Sequence, residues 1–379
     1  MNTPYLTAEH VELRARVRAA LARVVLPNAE AWEALGYIPA EGWRALGREG
    51  LLAFGHTGSA FLESAIVLEE LGRTGYAGIR AAVGVHAYMA LSYLEMFGTA
   101  EQKDMYLPGA RRGERIAALA ITEAHAGSDL RHLQTRAEPV ADGYRVSGEK
   151  HYVSNGSQAD LFVTVVRTGE KPAGKGLTGA SLLLIDAGSP GVTRSPMGLT
   201  CYRSADVCRL TLDGVFVPAN RLIGRRDKAL MHLMRALDFE RLCAGLLAVG
   251  GVGHCLDLLD GFVREHQVKD APLAANQAVR HRVSELDGDF ELVRNYAYHA
   301  AWLHARGELD TRTASILKLK ATELAVTAAQ WCLQYHGARG YLAGAAPARI
   351  HRDAMVGTIA AGASELMRDM IFETNGHQP

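Results

Sequence analysis

Cysteine, a dominant charge and long apolar runs are what this sequence has least of. Its 379 residues hold five cysteines, Cys201, Cys208, Cys243, Cys255 and Cys332, with no CxxC pair and no metal-ligand spacing. An odd, scattered set reads as reduced thiols and points to a cytoplasmic protein, not to a disulfide framework. The fifteen histidines form no HExxH or similar arrangement, which argues against a metal centre. Lys plus Arg and Asp plus Glu each number 41, so the formal net charge is zero. A nucleic-acid binder would carry a basic excess or stripe, and none is present. The longest apolar runs, such as "LLAVGGVG" at 246–253, are too short to span a bilayer. The N-terminal segment carries Glu9 and Glu12 among its basic residues and has no long apolar stretch. It reads as an amphipathic first helix and not as a transit or signal peptide.

Hydrophobic residues make up 48% of the chain, enough for a sizeable core in two or three layers. The period of the apolar residues divides the sequence into three. Residues 1–113 read as an N-terminal α-helical domain. "SAIVLEELGRTG" has helical spacing with Gly72 placed to end the turn. Further on, Gly98 ends one helix, Thr99 caps the next and Pro108 closes it. Residues 114–225 read as a central β-domain, a small antiparallel barrel or sandwich. "GYRVSGEKHYVSN" puts Tyr144, Val146 and Gly148 on one face, "LFVTVVRT" and "SLLLIDA" favour strands, and "VCRLTLDGVFVP" alternates through Val207, Leu210 and Leu212. Residues 226–379 return to the helical period in three long segments and read as a C-terminal four-helix bundle. The fold class expected is α+β, mainly α.

"ALAITEAHAGSDL" (118–130) resembles the flavin-binding signature of the acyl-CoA dehydrogenase family. "FGTAEQKDMYLP" (97–108), "GEKHYVSNG" (148–156), "VFVPANRLIG" (215–224), "QYHGARGY" (334–341) and "RIHRDAMVGTIAAGASELMRDMI" (349–371) resemble its other motifs, in the same order and at matching distances. Six motifs in order cover nearly the whole chain. The resemblance implies FAD in a cleft between β-domain and bundle, a homotetramer or homodimer, and an electron-transferring flavoprotein as acceptor. No nucleic acid and no membrane are implied as partners. It implies FAD contacts at Leu119, Ile121, Thr122, Gly127, Ser128, Tyr152, Val153 and Ser154, at His266 and Gln277, and at Gln334, Gly337, Ala338, Ala363, Ser364 and Glu365. The residue types suit this: Gly127 lets the backbone approach the ring, and Thr122 and Ser128 are short donors. Read alone, the same stretch is a polar turn between strands. Tyr152 and Ser154 stand where the family usually has Trp and Thr, so an aromatic face and a hydroxyl survive. Read alone, Tyr152 is an aromatic packed on a strand.

The family removes a proton from Cα of an acyl thioester and a hydride from Cβ. Many members take the proton with the Glu of a "YEGTS" stretch; here the match is "AAGAS" (360–364), with Ala361 at the Glu position. A methyl group accepts no proton. Members acting on isovaleryl and long-chain thioesters carry the Glu on an earlier helix, and "LDFER" (237–241) places Glu240 there. Glu240 is thus the expected base, with its ionisation shifted upward by apolar neighbours. Two plainer readings of Glu240 are a charge pair with Arg241 and a solvated helix face. Substrate contacts are implied at Ser128, Asp238, Arg241, Ala361 and Gly362, with the Ala361 N–H on the thioester oxygen.

Two departures from the family stand out. Counting back from Gln277, the usual Arg-x-x-Phe-Gly falls on His266 and on Lys269-Asp270, with Arg264 two residues away. Either His266 or Arg264 serves the FAD pyrophosphate, or that contact is remodelled. Residues 50–62 also lack the longer loop of relatives, which reshapes the substrate pocket or its mouth. With an Ala- and Arg-rich composition, this suggests a specialised biosynthetic role on a coenzyme A or carrier-protein thioester. The alternatives are an oxygen-using flavoenzyme of the same fold, oxidase or monooxygenase, and a non-catalytic relative.

Overall fold

The structure is a computed structural model and describes residues 4–53, 55–169, 177–374 and 376. Phe54, inside the shortened 50–62 stretch, and Met1–Thr3 of the N-terminal segment lie outside the described residues. In chain order come α1 (Ala8–Val24), α2 (Ala29–Leu35), α3 (Ala40–Arg48), α4 (Ala60–Gly72), α5 (Ala77–Val83), a π-helical Gly84–Ala90, α6 (Leu91–Phe97) and α7 (Ala100–Arg111). Eight strands follow: β1 (Ala117–Ala120), β2 (Arg136–Val140), β3 (Gly143–Val153), β4 (Leu161–Arg167), β5 (Ala180–Asp186), β6 (Val192–Pro196), β7 (Cys208–Pro218) and β8 (Leu222–Ile223). The last long elements are α8 (Ala229–Glu265), α9 (Gln277–Ala305), α10 (Thr311–His336), α11 (Ala346–Ala354) and α12 (Ser364–Thr374). The chain is mainly helical, 58%, around a central mixed sheet. Contacts group the described residues into two compact units, 4–26 with 57–80 and 238–376, and 27–56 with 81–237.

The first unit is helical. Helix α10 packs against α9, α11 and α12, and α4 packs against α1 and α9. Glycines let α4 and α8 approach backbone to backbone. A Cβ on Gly250 would lie 1.9 Å from the Glu69 carbonyl oxygen, and one on Gly72 would lie 2.3 Å from that of Leu247. Gly72 therefore serves this crossing as well as standing last in its helix. Gly250→Ala is expected to destabilise the protein by about 1–3 kcal/mol through overpacking, read as a lowered Tm.

Charge is buried in the same unit. Glu69 accepts from Arg14 Nη1 at 2.7 Å, from Arg294 Nε at 2.6 Å and from the Tyr298 hydroxyl, and its side chain is fully buried. Burial alone would push its carboxyl up, but Arg14 and Arg294 outweigh that and hold it below the usual carboxylate range. A depressed folded-state carboxyl gives stability that is complete above the unfolded value and lost as pH falls through the folded one. Glu69→Gln is thus expected to flatten the acid limb of a Tm-against-pH curve while lowering Tm at neutral pH.

The second unit holds an eight-stranded sheet in the order β6-β7-β3-β2-β4-β5-β8, with β1 beside β4. The expectation of an antiparallel sheet needs correction, because β1 and β2 both pair with β4 in parallel. Strand β4 is buried along its whole length, which explains why "LFVTVVR" lacks a polar alternation. Leu161, Val163 and Val165 join one core with Leu94, Tyr106 and Leu107 of α6 and α7; Phe162 and Val166 join another with Val146, Leu210 and Leu212. The inward row of β7 starts at Cys208 and not at Val207, which is half-buried. Thr99 caps α7 as expected, accepting from Gln102 N at 3.2 Å. Pro108 does not close that helix, which continues to Arg111.

Helix α8 has 37 residues and is long and apolar enough to cross a membrane by length and composition, which the broken apolar runs of the sequence concealed. Its most apolar window is 67% buried inside the protein, as befits a core helix.

Candidate active site

In the second unit, the signature loop is built around a buried ion pair. Strand β1 delivers Leu119; Ile121 and Thr122 follow, and Glu123 and Ala126 close a turn through paired backbone bonds of 3.0 and 3.1 Å. Glu123 accepts from Gln134 N at 2.6 Å, Thr135 N at 2.9 Å and Lys150 Nζ at 2.8 Å. Lys150 also donates to the Ile121 carbonyl at 3.1 Å and is wholly buried. Burial pulls its ammonium down to about 8 against the pull of Glu123. Burial would raise Glu123, yet Lys150 holds it below its ordinary range. The motifs of the sequence assign neither residue a role. The signal was there: Lys150 continues the inward row of Tyr144, Val146 and Gly148, and a lysine on that face requires a carboxylate.

The pair fixes a surface beside it. His151 N donates to the Thr122 carbonyl at 2.8 Å, so the end of β3 carries Tyr152, Val153 and Ser154 next to the loop. Tyr152 adopts φ +56° and is 59% exposed, so the plain reading of it as packed on the strand does not hold. Val153 is buried, Ser154 is half-buried, and Asn155, also at positive φ, donates to the Ala82 carbonyl at 2.8 Å. A Cβ on Gly127 would meet open space, and Ser128 is exposed.

In the first unit, Glu240 lies on α8 and is 5% exposed, which excludes the solvated-face reading. Arg241 donates through Nη1 to Asp238 Oδ1 at 2.7 Å, and Asp238 Oδ2 accepts from Thr311 Oγ1 at 2.7 Å. Cys243 is pushed well up by burial, with the Glu240 carboxylate adding to it. The "AAGAS" turn reaches the same place. Ala361 has φ +53° and Gly362 φ +97°. The left-handed region costs a residue with a Cβ about 1–2 kcal/mol, so Ala361 is held there by its surroundings. A Cβ on Gly362 would lie 2.7 Å from Met367 Cε and 3.9 Å from Arg241 Nε, so the turn packs beside Arg241. Lys318, from α10, donates to the Gly362 carbonyl and is fully buried. Burial, then Arg241, brings its ammonium down to about 8. Ser364 is buried at the start of α12, Ala363 half-buried and Glu365 exposed.

A third group lies at the far end of α8. Arg264 is exposed and donates to Asp260 at 2.7 Å, so it is already paired. His266 is bonded to Arg339 Nη1 at 3.0 Å and stacks on Phe262, whose ring stacks in turn on His336 at 4.0 Å. Arg339 is a guanidinium that the sequence reading missed, although it lies inside "QYHGARGY". Gln334, Gly337 and Ala338 are exposed beside it, Gly337 at φ +56°, and Gln277 is exposed as the first residue of α9.

Comparison with known proteins decides the family. Models of the acyl-CoA dehydrogenase N-terminal, middle and C-terminal domains match residues 7–114, 118–215 and 230–375. The probable acyl-CoA dehydrogenase YngJ of Bacillus subtilis is 30% identical over 97% of this chain and 97% of its own. The chain belongs to the acyl-CoA dehydrogenase family. It is an oxidoreductase of a family that depends on FAD. The long-chain specific acyl-CoA dehydrogenase of Rattus norvegicus mitochondria is also 30% identical, over 96% of this chain and 86% of that protein. Isovaleryl-CoA dehydrogenase of Solanum tuberosum mitochondria is 30% identical over 92% and 85%. Among solved structures, the acyl-CoA dehydrogenase from Geobacillus kaustophilus superposes with TM-score 0.94 at 30% identity, covering 99% of this chain and 100% of the other.

Proposed function

We propose that this acyl-CoA dehydrogenase family member oxidises an acyl thioester to its α,β-unsaturated form, with Glu240 as the base that takes the α-proton. The observation that carries the reading is the burial of Glu240 on the helix that packs beside the Ala361–Gly362 turn. A buried carboxylate is a stronger base than a solvated one, and the α-proton of a thioester needs such a base. The Ala361 N–H donates to the thioester oxygen and stabilises the enolate that forms as the proton leaves. A backbone donor is indifferent to the loss of the Glu side chain at that position. Asp238 and Arg241 hold the helix segment that presents Glu240; with Gly362 they are the proposed substrate contacts in the first unit, and Ser128 is the one proposed in the second.

The residues present fit FAD. An exposed aromatic at positive φ, an open Gly127 and the hydroxyls of Thr122, Ser128 and Ser154 suit a flat ring with polar edges. Leu119, Ile121 and Val153 back that surface, and Ala363, Ser364 and Glu365 lie next to the proposed thioester-oxygen donor. His266, Gln277, Gln334, Gly337 and Ala338 would hold the remainder, with Arg339 supplying the guanidinium that the sequence lacks at the usual place. FAD held there would supply the acceptor for the β-hydride. An electron-transferring flavoprotein is the proposed acceptor from the reduced enzyme, and the assembly is a homotetramer or homodimer. The thioester is carried on coenzyme A or on a carrier protein in a specialised biosynthetic pathway, and turnover on the two carriers separates them.

The purified protein is expected to be yellow and to bleach anaerobically with one or more of butyryl-, isovaleryl-, octanoyl- and palmitoyl-CoA or their carrier-protein equivalents. The reduced form should reoxidise slowly in air. A colourless protein would overturn the reading in favour of a non-catalytic relative, and rapid reoxidation by oxygen would point to an oxidase or monooxygenase.

A further inference from the structure

We propose that Lys318 is a positioning residue that sets the Ala361 N–H as the donor to the thioester oxygen. The inference rests on the reading of Glu240 and Ala361 given above. Lys318 stands on α10, and its side chain crosses to the Gly362 carbonyl on the turn before α12. Its relative exposure is zero. A buried lysine with a purely structural role finds a carboxylate partner, as Lys150 does in the other unit. Lys318 instead spends its ammonium on a neutral carbonyl, beside the second cation Arg241, with Glu323 and Glu365 as the carboxylates that partly offset it. That is a costly arrangement for holding an ordinary turn.

The turn is not ordinary. Ala361 and Gly362 are consecutive left-handed residues, and only the second is glycine. Ala360 N donates to Val356 O at 2.8 Å, and Met367 N donates to Ala363 O at 3.0 Å. Lys318 holds Gly362 between them. The Ala361 N–H thus lies between two fixed points, one before it at Ala360 and one after it at Gly362. Without the second, the dihedrals of Ala361 and Gly362 lose their restraint from the C-terminal side, and the 360–361 peptide plane that carries the Ala361 N–H is held from one side alone. Lys318 touches neither the reacting carbon nor the base; it acts through the turn.

The test uses holoenzyme and two probes. The first is turnover of isovaleryl-CoA and octanoyl-CoA. The second is 3-(2-furyl)acryloyl-CoA, whose absorption moves to longer wavelength when a donor polarises its carbonyl. Lys318→Met is expected to keep its FAD, to lose about 100-fold in kcat with KM changed less than about threefold, and to lose the red shift that wild type gives. Lys318→Gln retains a donor on a shorter side chain and is expected to recover part of both. Glu240→Gln should keep the red shift while losing flavin reduction, which separates failure of the base assignment from failure of this one. A Lys318→Met enzyme with wild-type kcat and an intact red shift overturns the proposal. So does loss of FAD from both Lys318 variants, which would make Lys318 a folding residue. No red shift in wild type would remove the thioester-oxygen donor, and the proposal with it.

Discussion

Glu240→Gln is expected to slow flavin reduction by an acyl thioester about 10³-fold, within the range of a lost general base, and to leave FAD bound at full stoichiometry. The substitution keeps the size and shape of the side chain and removes its basicity. Glutamine has the shape of glutamate, and an amide does not accept the α-proton. The surroundings have their own holds: Arg241 is bonded to Asp238 and Asp238 to Thr311. Neither bond runs through Glu240. A loss through misfolding would instead release flavin and lower Tm. The size of the effect also follows from the absence of a substitute. Ala361 occupies the only other position at which the resemblance implies a base, and its methyl group cannot act. Binding of an unreactive thioester should be nearly unchanged, so the loss should fall on kcat and not on the dissociation constant.

The second large effect is on stability. Lys150→Met leaves the Glu123 carboxylate buried without its cation, and breaking one side of a buried pair costs about 3–5 kcal/mol. Glu123 keeps its two backbone donors, Gln134 N and Thr135 N, which places the expected loss toward the lower end of that range. For a chain of this length the corresponding fall in Tm is about 4 °C. The same side chain holds the Ile121 carbonyl at 3.1 Å, so the variant should also release FAD more readily, read as flavin lost on gel filtration. Adding Glu123→Gln removes the stranded charge and keeps one acceptor oxygen for the two backbone donors. The double variant should therefore be more stable than Lys150→Met alone. If the two single variants proved additive, with no recovery in the double, the pair would not be the organising feature of the loop.

Much of this was legible in the sequence because the relevant physics is local. Helical spacing placed the long helices, and the polar start at Thr99 placed a cap that the side chain does make. The mixed character of the sheet was not legible, since alternation reports which face is buried and not which way a neighbour runs. Strand β1 meets β4 across a separation of 44 residues, Ala117 against Leu161, and no short-range signal encodes that. Pro108 was read as a stop, yet α7 carries it within its last turns. The double use of Gly72 could not be seen, because the backbone it meets belongs to α8.

The candidate site divides in the same way. Glu240 could be singled out by the pairing of a lost carboxylate at 361 with one gained at 240. Its burial could be anticipated from Leu237, Leu242 and Cys243. The left-handed backbone at Ala361 could not, because alanine gives no warning of positive φ, whereas Gly362 does. Arg339 was overlooked for a related reason: its partner His266 is 73 residues away, and a guanidinium in a polar loop looks like any other surface arginine.

Proton removal is the step on which the account turns, and it can be watched without hydride transfer. A 3-thiaacyl-CoA has sulfur in place of the β-carbon, so it can lose an α-proton but not a β-hydride. In deuterium oxide, the wild-type enzyme is expected to exchange its α-hydrogens for deuterium, followed by NMR. Glu240→Gln should slow that exchange about 10³-fold at unchanged ligand occupancy. Exchange at the wild-type rate in Glu240→Gln would contradict the assignment and require another base.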